Sequence, residues 1–135
     1  MKPEILIVDD DSDLRTAAAE LLQQEGFVVH EAEDGTAGLH AVLRLVPDLV
    51  LLDLNLPHLE GPEVLRRIRA SPHTADVPVV VVSGQLREYG PRLEGLTYHA
   101  ALQKPCMPEE LIASVRIALA QSAGAAPLGG DDAAA

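Results

Sequence analysis

The residues best suited to chemistry in this chain are polar side chains that directly follow short hydrophobic stretches. Two stretches are followed by carboxylates, one by a hydroxyl and one by an ammonium group. The carboxylates are Asp9, Asp10, Asp11 and Asp53, the hydroxyl is that of Ser83 and the ammonium group is that of Lys104. Clustered carboxylates repel one another unless a cation neutralises them, and a few hard oxygen ligands suit Mg²⁺ better than Ca²⁺. Lys104 and Ser83 offer the charge and the donor that phosphoryl oxygens need. The set therefore indicates magnesium-dependent phosphoryl chemistry.

The elements that must position these residues are short strands alternating with helices. Strands are predicted at 5–8, 27–29, 49–52 and 77–82, and three of the four are continuously apolar, as expected for strands covered on both faces. Residues with helical periodicity follow each of the first three strands. A fourth helix within 86–96 is interrupted by Gly90-Pro91, a fifth strand is placed at 100–103 by analogy, and a last helix begins at Pro108. This order predicts a parallel sheet, whose carboxyl edge is where ligands bind.

Capping residues support these boundaries. Ser12 precedes the first predicted helix, Gly26 follows it, and Pro62 lies in the first turn of the third. Beyond Gln121 the sequence has small side chains and no periodicity. We therefore predict one folded domain over 1–121 and a flexible tail or truncated linker over 122–135.

Composition restricts the classes of partner. The chain has 135 residues, enough for one domain, and a net charge of −11, which disfavours direct binding to nucleic acid or to anionic lipid. The single Cys106 permits neither an internal disulfide nor a thiolate zinc site. No apolar stretch approaches the roughly 20 residues of a membrane span. We expect a cytoplasmic location without membrane contact.

Four motifs in this order resemble the receiver domain of two-component response regulators. They are Ile-Leu-Ile-Val-Asp9-Asp10, Leu-Val-Leu-Leu-Asp53 with Pro57 and Gly61 after it, Val-Val-Val-Ser83-Gly84, and Lys104-Pro105. The resemblance covers about residues 4–121. It implies a three-layer α/β/α sandwich whose five-stranded parallel sheet has the order 2-1-3-4-5, CheY-like and flavodoxin-like in its connections.

The resemblance also implies a phosphorelay partner and a metal. A sensor histidine kinase or a histidine phosphotransfer protein would pass a phosphoryl group from phosphohistidine to Asp53, giving an aspartyl phosphate. Asp10, Asp53 and the backbone carbonyl of Asn55 would hold Mg²⁺ or Mn²⁺, and Asp9 would act through a metal-bound water.

The same resemblance assigns the remaining site residues. Lys104 would pair with a phosphoryl oxygen, and Ser83 would move toward the phosphoryl group and so report its presence. The Lys104-Pro105 peptide is expected to be cis. Asn55 and Gln85 match positions that tune how long the phosphoryl group survives.

The implied function is a signalling switch and not an enzyme in the turnover sense. Its output would pass to a downstream protein or to an output domain outside these residues, and a receiver taken from a hybrid histidine kinase stays open. The chain departs from the family at two positions. Ala101 stands three residues before Lys104, where the family often has an aromatic side chain, and Cys106 replaces a common aromatic after Pro105. Tyr89 or Tyr98 could take the place of the absent ring.

Two alternatives were weighed against this interpretation. A haloacid-dehalogenase-like phosphohydrolase could use four of the polar residues, namely Asp9, Asp11, Ser83 and Lys104. That scheme leaves Asp53 without a role and puts Asp13 where the hydrolases have Thr or Val. A calcium loop running from Asp9 to Glu20 would place Leu14 where a glycine is needed, and a strand precedes it where a helix should.

Overall fold

Five strands alternate with five helices along the part of the chain that the structure describes. The computed structural model describes residues 1–128. The strands are β1 (Glu4–Val8), β2 (Val28–Ala32), β3 (Leu49–Leu52), β4 (Val79–Ser83) and β5 (Ala100–Gln103). The helices are α1 (Ser12–Gln24), α2 (Gly35–Leu45), α3 (Gly61–Ala70), α4 (Leu86–Tyr89) and α5 (Pro108–Leu128), with a 3₁₀ helix over Gly90–Leu93 after α4.

The strands form one parallel sheet in the order β2-β1-β3-β4-β5. This confirms the predicted topology. Parallel neighbours need a crossover connection, and the helices that supply those connections cover both faces of the sheet. All five carboxyl ends therefore lie along one edge.

The sheet separates two apolar layers. Leu6 and Val8 of β1 point into the layer formed with α2 and α3, whereas Ile5 and Ile7 point into the layer formed with α1 and α5. This alternation follows from the two-residue period of a strand. Fully burying a Leu or Ile side chain stabilises a fold by about 1.5–3 kcal/mol. Burial on both faces of β1 therefore holds in place the loop that begins at Asp9.

Two predicted strand boundaries were wrong. β2 begins at Val28 and continues to Ala32. It therefore includes His30 and Glu31, which lie outside the strand predicted from the apolar stretch at 27–29. β2 lies at the edge of the sheet, where polar side chains can face water while the backbone pairs with β1. β4 begins at Val79, because Pro78 has no backbone N–H to give to a neighbour, and it includes Ser83.

The structure confirms the predicted residue at the C-terminal end of α1 but not the one at its N-terminal end. Gly26 follows α1 with φ of +95°, a conformation that glycine adopts without strain. The N-cap of α1 is Asp11 and not Ser12, because the Asp11 carboxylate accepts hydrogen bonds from the backbone N–H groups of Asp13 and Leu14, at 3.0 and 3.1 Å. A carboxylate there also interacts favourably with the helix dipole.

The last helix extends beyond the boundary predicted at Gln121. α5 continues to Leu128, so the part of the predicted tail from 122 to 128 is helical. Alanine has the highest helix propensity of all residues. This explains why the alanine-rich segment 122–128 is helical although it has no apolar stripe. The remainder of the predicted tail, 129–135, lies outside the described residues.

α4 is short, as the Gly90-Pro91 pair predicts. It ends at Tyr89, and the 3₁₀ helix that follows contains Pro91, which cannot continue the α-helical hydrogen bonding. α4 itself contributes no fully buried residue, whereas Leu93 in the 3₁₀ helix is 2% exposed. Leu86 and Tyr89 of α4 pack against the same apolar layer but are only partly buried, so Leu93 is the most deeply buried contact of this segment.

Among the residues described, no helix combines the length and the hydrophobicity that crossing a lipid bilayer requires.

Candidate functional site

Four strand ends bring the predicted site residues together at one edge of the sheet. Asp9 follows β1, Asp53 follows β3, Ser83 ends β4 and Lys104 follows β5. Asp9, Asp53 and Ser83 are the buried polar residues of this edge, at 8%, 7% and 0% exposure. Because β1, β3 and β4 are packed on both faces, Asp9, Asp53 and Ser83 start from backbone positions that have little freedom to move.

Three carboxylates converge at this edge. Asp9, Asp10 and Asp53 each offer an oxygen atom, and these atoms lie within 4.8 Å of one another. Asp10 is exposed and the other two are buried, so one side of the cluster opens to solvent. Hard oxygen donors in small number, open on one side, fit Mg²⁺ or Mn²⁺, which retain water or substrate oxygens as further ligands.

Lys104 lies between two of these carboxylates. Its Nζ donates to Asp9 Oδ2 at 2.8 Å and to Asp53 Oδ2 at 3.1 Å. Burial alone would lower the pKa of Lys104, but the hydrogen bonds and charges of Asp9 and Asp53 together outweigh it, so the pKa of Lys104 is raised. The ammonium group therefore stays charged and partly neutralises the acidic cluster.

The two oxygens of Asp53 have different partners. Oδ1 accepts hydrogen bonds from the backbone N–H of Leu54 at 2.7 Å and, more weakly, from that of Asn55 at 3.4 Å, while Oδ2 accepts from Lys104. Burial is the largest cause and raises the pKa of Asp53, Lys104 lowers it through its charge and hydrogen bond, and the nearby charge of Asp9 adds to the rise, so the net shift is upward. The carboxylate is thus fixed in orientation, but it is held in a region that disfavours its negative charge.

This raised pKa predicts how stability depends on pH without metal. The folded state binds the Asp53 proton more tightly than the unfolded state does, so the contribution of Asp53 to stability declines as pH rises from the ordinary pKa of 3.8 through the raised one. Metal-free Asp53→Asn should therefore match wild type in acid and become the more stable protein at pH 7. Urea unfolding of both proteins across that range measures the difference, and added Mg²⁺ should shrink it. A difference independent of pH would contradict this prediction.

The hydroxyl of Ser83 is fully buried beside the site. Its Oγ accepts a hydrogen bond from the backbone N–H of Gln85 at 3.0 Å, so its own proton is free to donate elsewhere. The side-chain oxygen of Gln85 is buried and has no hydrogen-bond partner in the described part of the chain. Gln103 Nε2 donates to the carbonyl of Gly84 at 3.0 Å, which ties the ends of β4 and β5 together. The Lys104-Pro105 peptide is cis, as the resemblance implied.

Several residues that support the site were not predicted from the sequence. Arg15 Nη1 donates to the backbone carbonyl of Asp9 at 2.7 Å, while its Nε pairs with Glu31. Tyr89 reaches Asn55 and Glu60, and no motif marks that contact. Tyr98, the other tyrosine considered for the place of the absent ring, lines a separate polar cleft with Arg69. Only pairing across distant elements reveals these roles, and a single sequence carries no signal for it.

Gly61 allows the loop after β3 to pack against the backbone of Asp53 and Leu54. A Cβ atom at this position would overlap the carbonyl oxygen of Asp53 and lie 2.6 Å from the Cα of Leu54. Since both atoms belong to the backbone, no side-chain rotation could relieve the overlap.

Gly61→Ala is therefore expected to destabilise the domain by about 1–3 kcal/mol, the usual cost of overpacking. Gly90→Ala is the matched control, because nothing lies within 4 Å of the Cβ that it would add. Chemical unfolding of the two variants tests this, and equal stability would show that the loop adjusts freely.

A cavity of about 560 Å³ extends from the carboxylates down between α1 and the start of α5. Small side chains leave this space open, among them Ala17, Ala18 and Cys106. Burial raises the pKa of the Cys106 thiol, and the charge of Glu110 adds to the rise. The thiol is therefore a poor nucleophile at neutral pH, in line with a structural role.

The fold and this acidic edge are typical of phosphoacceptor signalling domains, and the comparisons identify the family. The family model described as "Response regulator receiver domain" matches residues 5–116, so the chain belongs to that family. A receiver domain is a signalling switch and not an enzyme in the turnover sense, which excludes the hydrolase alternative. The calcium-loop alternative is excluded by α1, whose helical residues include Asp13 and Glu20.

Relatives with curated descriptions are longer than this chain. The "DNA-binding dual master transcriptional regulator RpaA" of Synechocystis sp. (strain ATCC 27184 / PCC 6803 / Kazusa) is 37% identical over 121 residues, 87% of this chain and 49% of the relative. The "DNA-binding response regulator MtrA" of Mycobacterium tuberculosis (strain ATCC 25618 / H37Rv) is 41% identical over 121 residues, 88% of this chain and 51% of the relative. The chain thus spans about half the length of these proteins.

Solved structures of similar length share the fold. A CheY-like receiver domain protein from Methanospirillum hungatei JF-1 superposes with a TM-score of 0.86 at 26% identity, covering 92% of this chain and 98% of that one. The receiver domain of a sensor histidine kinase from Pseudomonas aeruginosa PAO1 superposes with a TM-score of 0.83 at 25% identity, covering 89% and 99%. In that structure a magnesium ion is coordinated in the active site cleft.

Proposed function

We propose that this chain accepts a phosphoryl group from a partner phosphohistidine on Asp53, in a magnesium-dependent reaction, and changes conformation in response. The observation that carries the proposal is the convergence of Asp9, Asp10 and Asp53 within 4.8 Å, with Lys104 bridging two of them. An acidic cluster of this kind is typical of the magnesium site of receivers. Backbone N–H groups hold one oxygen of Asp53, so the other is the candidate nucleophile.

In the proposed transfer, Asp53 Oδ2 attacks the phosphorus atom, and the bond from phosphorus to the histidine nitrogen breaks with its electron pair leaving on the imidazole. Asp10, Asp53 and the carbonyl of Asn55 would hold Mg²⁺, with Asp9 one water further out. When bound, the metal supplies positive charge to the phosphoryl oxygens. Lys104 moves from the attacking oxygen to a phosphoryl oxygen and supplies a second positive charge.

Ser83 would report the phosphoryl group. Its hydroxyl proton is free to donate, but reaching a phosphoryl oxygen means changing the contact that Oγ makes with the N–H of Gln85. Gln85 precedes α4, so that change is passed directly to the start of this helix. The displacement of α4 would then alter the surface that a partner contacts.

Receivers partner with histidine kinases, and two sources of the phosphoryl group suit this chain, a sensor kinase or a histidine phosphotransfer protein. The relatives described as DNA-binding are about twice as long as this chain, which favours an output region attached to such a receiver. The other route for the signal is a separate downstream protein. Similarity to the receiver of a sensor histidine kinase keeps the hybrid-kinase alternative in place. The net charge of −11 argues against nucleic-acid binding by these residues themselves.

Incubation with a small-molecule phosphodonor such as phosphoramidate, with Mg²⁺ or with EDTA, tests the proposal through intact-mass spectrometry. The expected result is a gain of one phosphoryl group only when Mg²⁺ is present, mapped to Asp53 by peptide analysis. Labelling of Asp9, or labelling that EDTA leaves unchanged, would overturn the assignment.

A further inference from the structure

Arg15 of α1 connects the loop after β1 to the edge strand β2. Its Nη1 donates to the backbone carbonyl of Asp9 at 2.7 Å, and its Nε donates to Glu31 Oε1 at 3.0 Å. The Arg15 side chain is 15% exposed, whereas that of Glu31 is 41% exposed. The guanidinium therefore binds a backbone group beside the acidic cluster with one nitrogen and a carboxylate on the neighbouring strand with another.

The bond from Arg15 completes the hydrogen bonding of the Asp9 backbone. The N–H of Asp9 donates to the carbonyl of Ala32 at 3.1 Å, and the carbonyl of Asp9 accepts from Arg15. These two bonds tie Asp9 to β2 on one side and to α1 on the other. Because Asp9 is buried, little water is available to replace the Arg15 donor, so its loss would free this carbonyl to turn.

The carbonyl that Arg15 holds belongs to the peptide group between Asp9 and Asp10. Peptide groups are planar, so fixing the direction of this oxygen also fixes the direction in which the chain continues into Asp10. The Asp9 carboxylate has partners of its own, because Oδ1 accepts from the N–H of Asp11 at 2.9 Å and Oδ2 accepts from Lys104. Asp10 is exposed, so packing does not hold its side chain. The position of the Asp10 carboxylate therefore depends on the peptide that Arg15 orients.

We propose that Arg15 is a positioning residue that raises the affinity of the site for Mg²⁺ by orienting the peptide between Asp9 and Asp10. The inference rests on the proposed function, in which Asp10 is a ligand of the metal. Outer partners that orient the ligands of a metal typically contribute about 10- to 100-fold to its affinity. Because Arg15 acts on the backbone before Asp10 and not on the carboxylate itself, we expect a contribution at the lower end of that range.

The sign of the effect separates positioning from charge. Arg15 is a cation near the acidic cluster, so removal of its charge by itself would strengthen the attraction of the site for Mg²⁺. Loss of positioning weakens Mg²⁺ binding instead. Glu31 balances the charge of Arg15 in the folded protein, so the intact pair adds no net charge. A fall in affinity when Arg15 is replaced by an uncharged residue therefore has positioning as its cause.

The test measures metal affinity in the unphosphorylated protein. Mn²⁺ is titrated while the electron paramagnetic resonance signal of the free ion is followed, and the titration is repeated with Mg²⁺ as a competitor. Arg15→Met keeps a long side chain but removes the donors, so its affinity for both ions should fall about tenfold. Arg15→Lys keeps the charge but loses the planar fork of donors, so its affinity should fall about threefold. Circular dichroism establishes that each variant is folded.

Arg116→Met is the matched control. Arg116 also pairs with a glutamate, Glu25, at 2.7 Å, but Glu25 follows the end of α1 that lies away from the acidic edge. This variant should keep the wild-type affinity for both ions.

Equal or tighter binding by Arg15→Met overturns the inference and leaves the proposed function standing. If Arg15→Met does not fold, Arg15→Lys decides, and wild-type affinity in that variant overturns the inference. Failure of wild type to bind either ion overturns the proposed metal site itself, and it is seen before any variant is compared.

Discussion

Asp53→Asn is expected to abolish phosphorylation while the domain stays folded. The amide cannot act as the nucleophile, so uptake from phosphoramidate should fall by at least about 100-fold, to the background of the mass measurement. The fold should survive because the amide oxygen can still accept from the N–H of Leu54, and Lys104 keeps its 2.8 Å contact with Asp9.

Asp10→Asn is the informative companion to this variant. Asp10 is exposed and is expected to hold the metal, not to accept the phosphoryl group. Its loss should therefore slow uptake in a way that raising the Mg²⁺ concentration partly reverses, whereas no concentration should rescue Asp53→Asn. If Asp53→Asn were labelled as fully as wild type, the acceptor would have to be another residue.

Lys104→Met is expected to destabilise the domain when no metal is present. The methionine has a similar length but no charge, so the buried carboxylates of Asp9 and Asp53 lose the ammonium group that both contact. Removing one partner of a mostly buried ionic contact leaves charges uncompensated, and we expect the free energy of unfolding in EDTA at pH 7 to fall by about 1–3 kcal/mol. Mg²⁺ should stabilise the variant more than wild type, because the metal then replaces the missing positive charge.

Urea unfolding in EDTA and in Mg²⁺ measures both effects. Lys2→Met is the control, because Lys2 is the chain's other lysine and is exposed near the N-terminus. The deficit of Lys104→Met should also diminish in acid, where Asp53, whose pKa is raised, is protonated. Equal stability of Lys104→Met and wild type in EDTA would mean that the ammonium group does not hold the carboxylates together.

The sheet and the main site were predictable because strong local signals agreed with one another. Continuous apolar stretches marked β1, β3 and β4, and a polar residue at each carboxyl end could be assigned to the same edge once the sheet was parallel. β2 was placed wrongly because an edge strand tolerates His30 and Glu31, which weaken its apolar pattern. α5 was predicted too short because its last residues are helical without an apolar stripe to indicate it.

The side chains around the site could not be predicted for a different reason. Arg15, Gln103 and Tyr89 each make two hydrogen bonds, and their partners include groups that only folding brings near, such as the backbone carbonyls of Asp9 and Gly84. Each residue type is ordinary at its position in a helix or strand, so no spacing or periodicity distinguishes it. The N-cap of α1 is Asp11 and not Ser12, and the sequence does not distinguish them because both residue types are good N-caps.

The ammonium group beside the carboxylates also determines which ions can balance the site. With three carboxylates and one ammonium, the cluster carries two uncompensated negative charges when all four groups are ionised. A divalent cation cancels that excess in full, whereas a monovalent ion leaves half of it and a trivalent ion reverses its sign. On charge alone, a divalent cation therefore balances this cluster more completely than a monovalent one does.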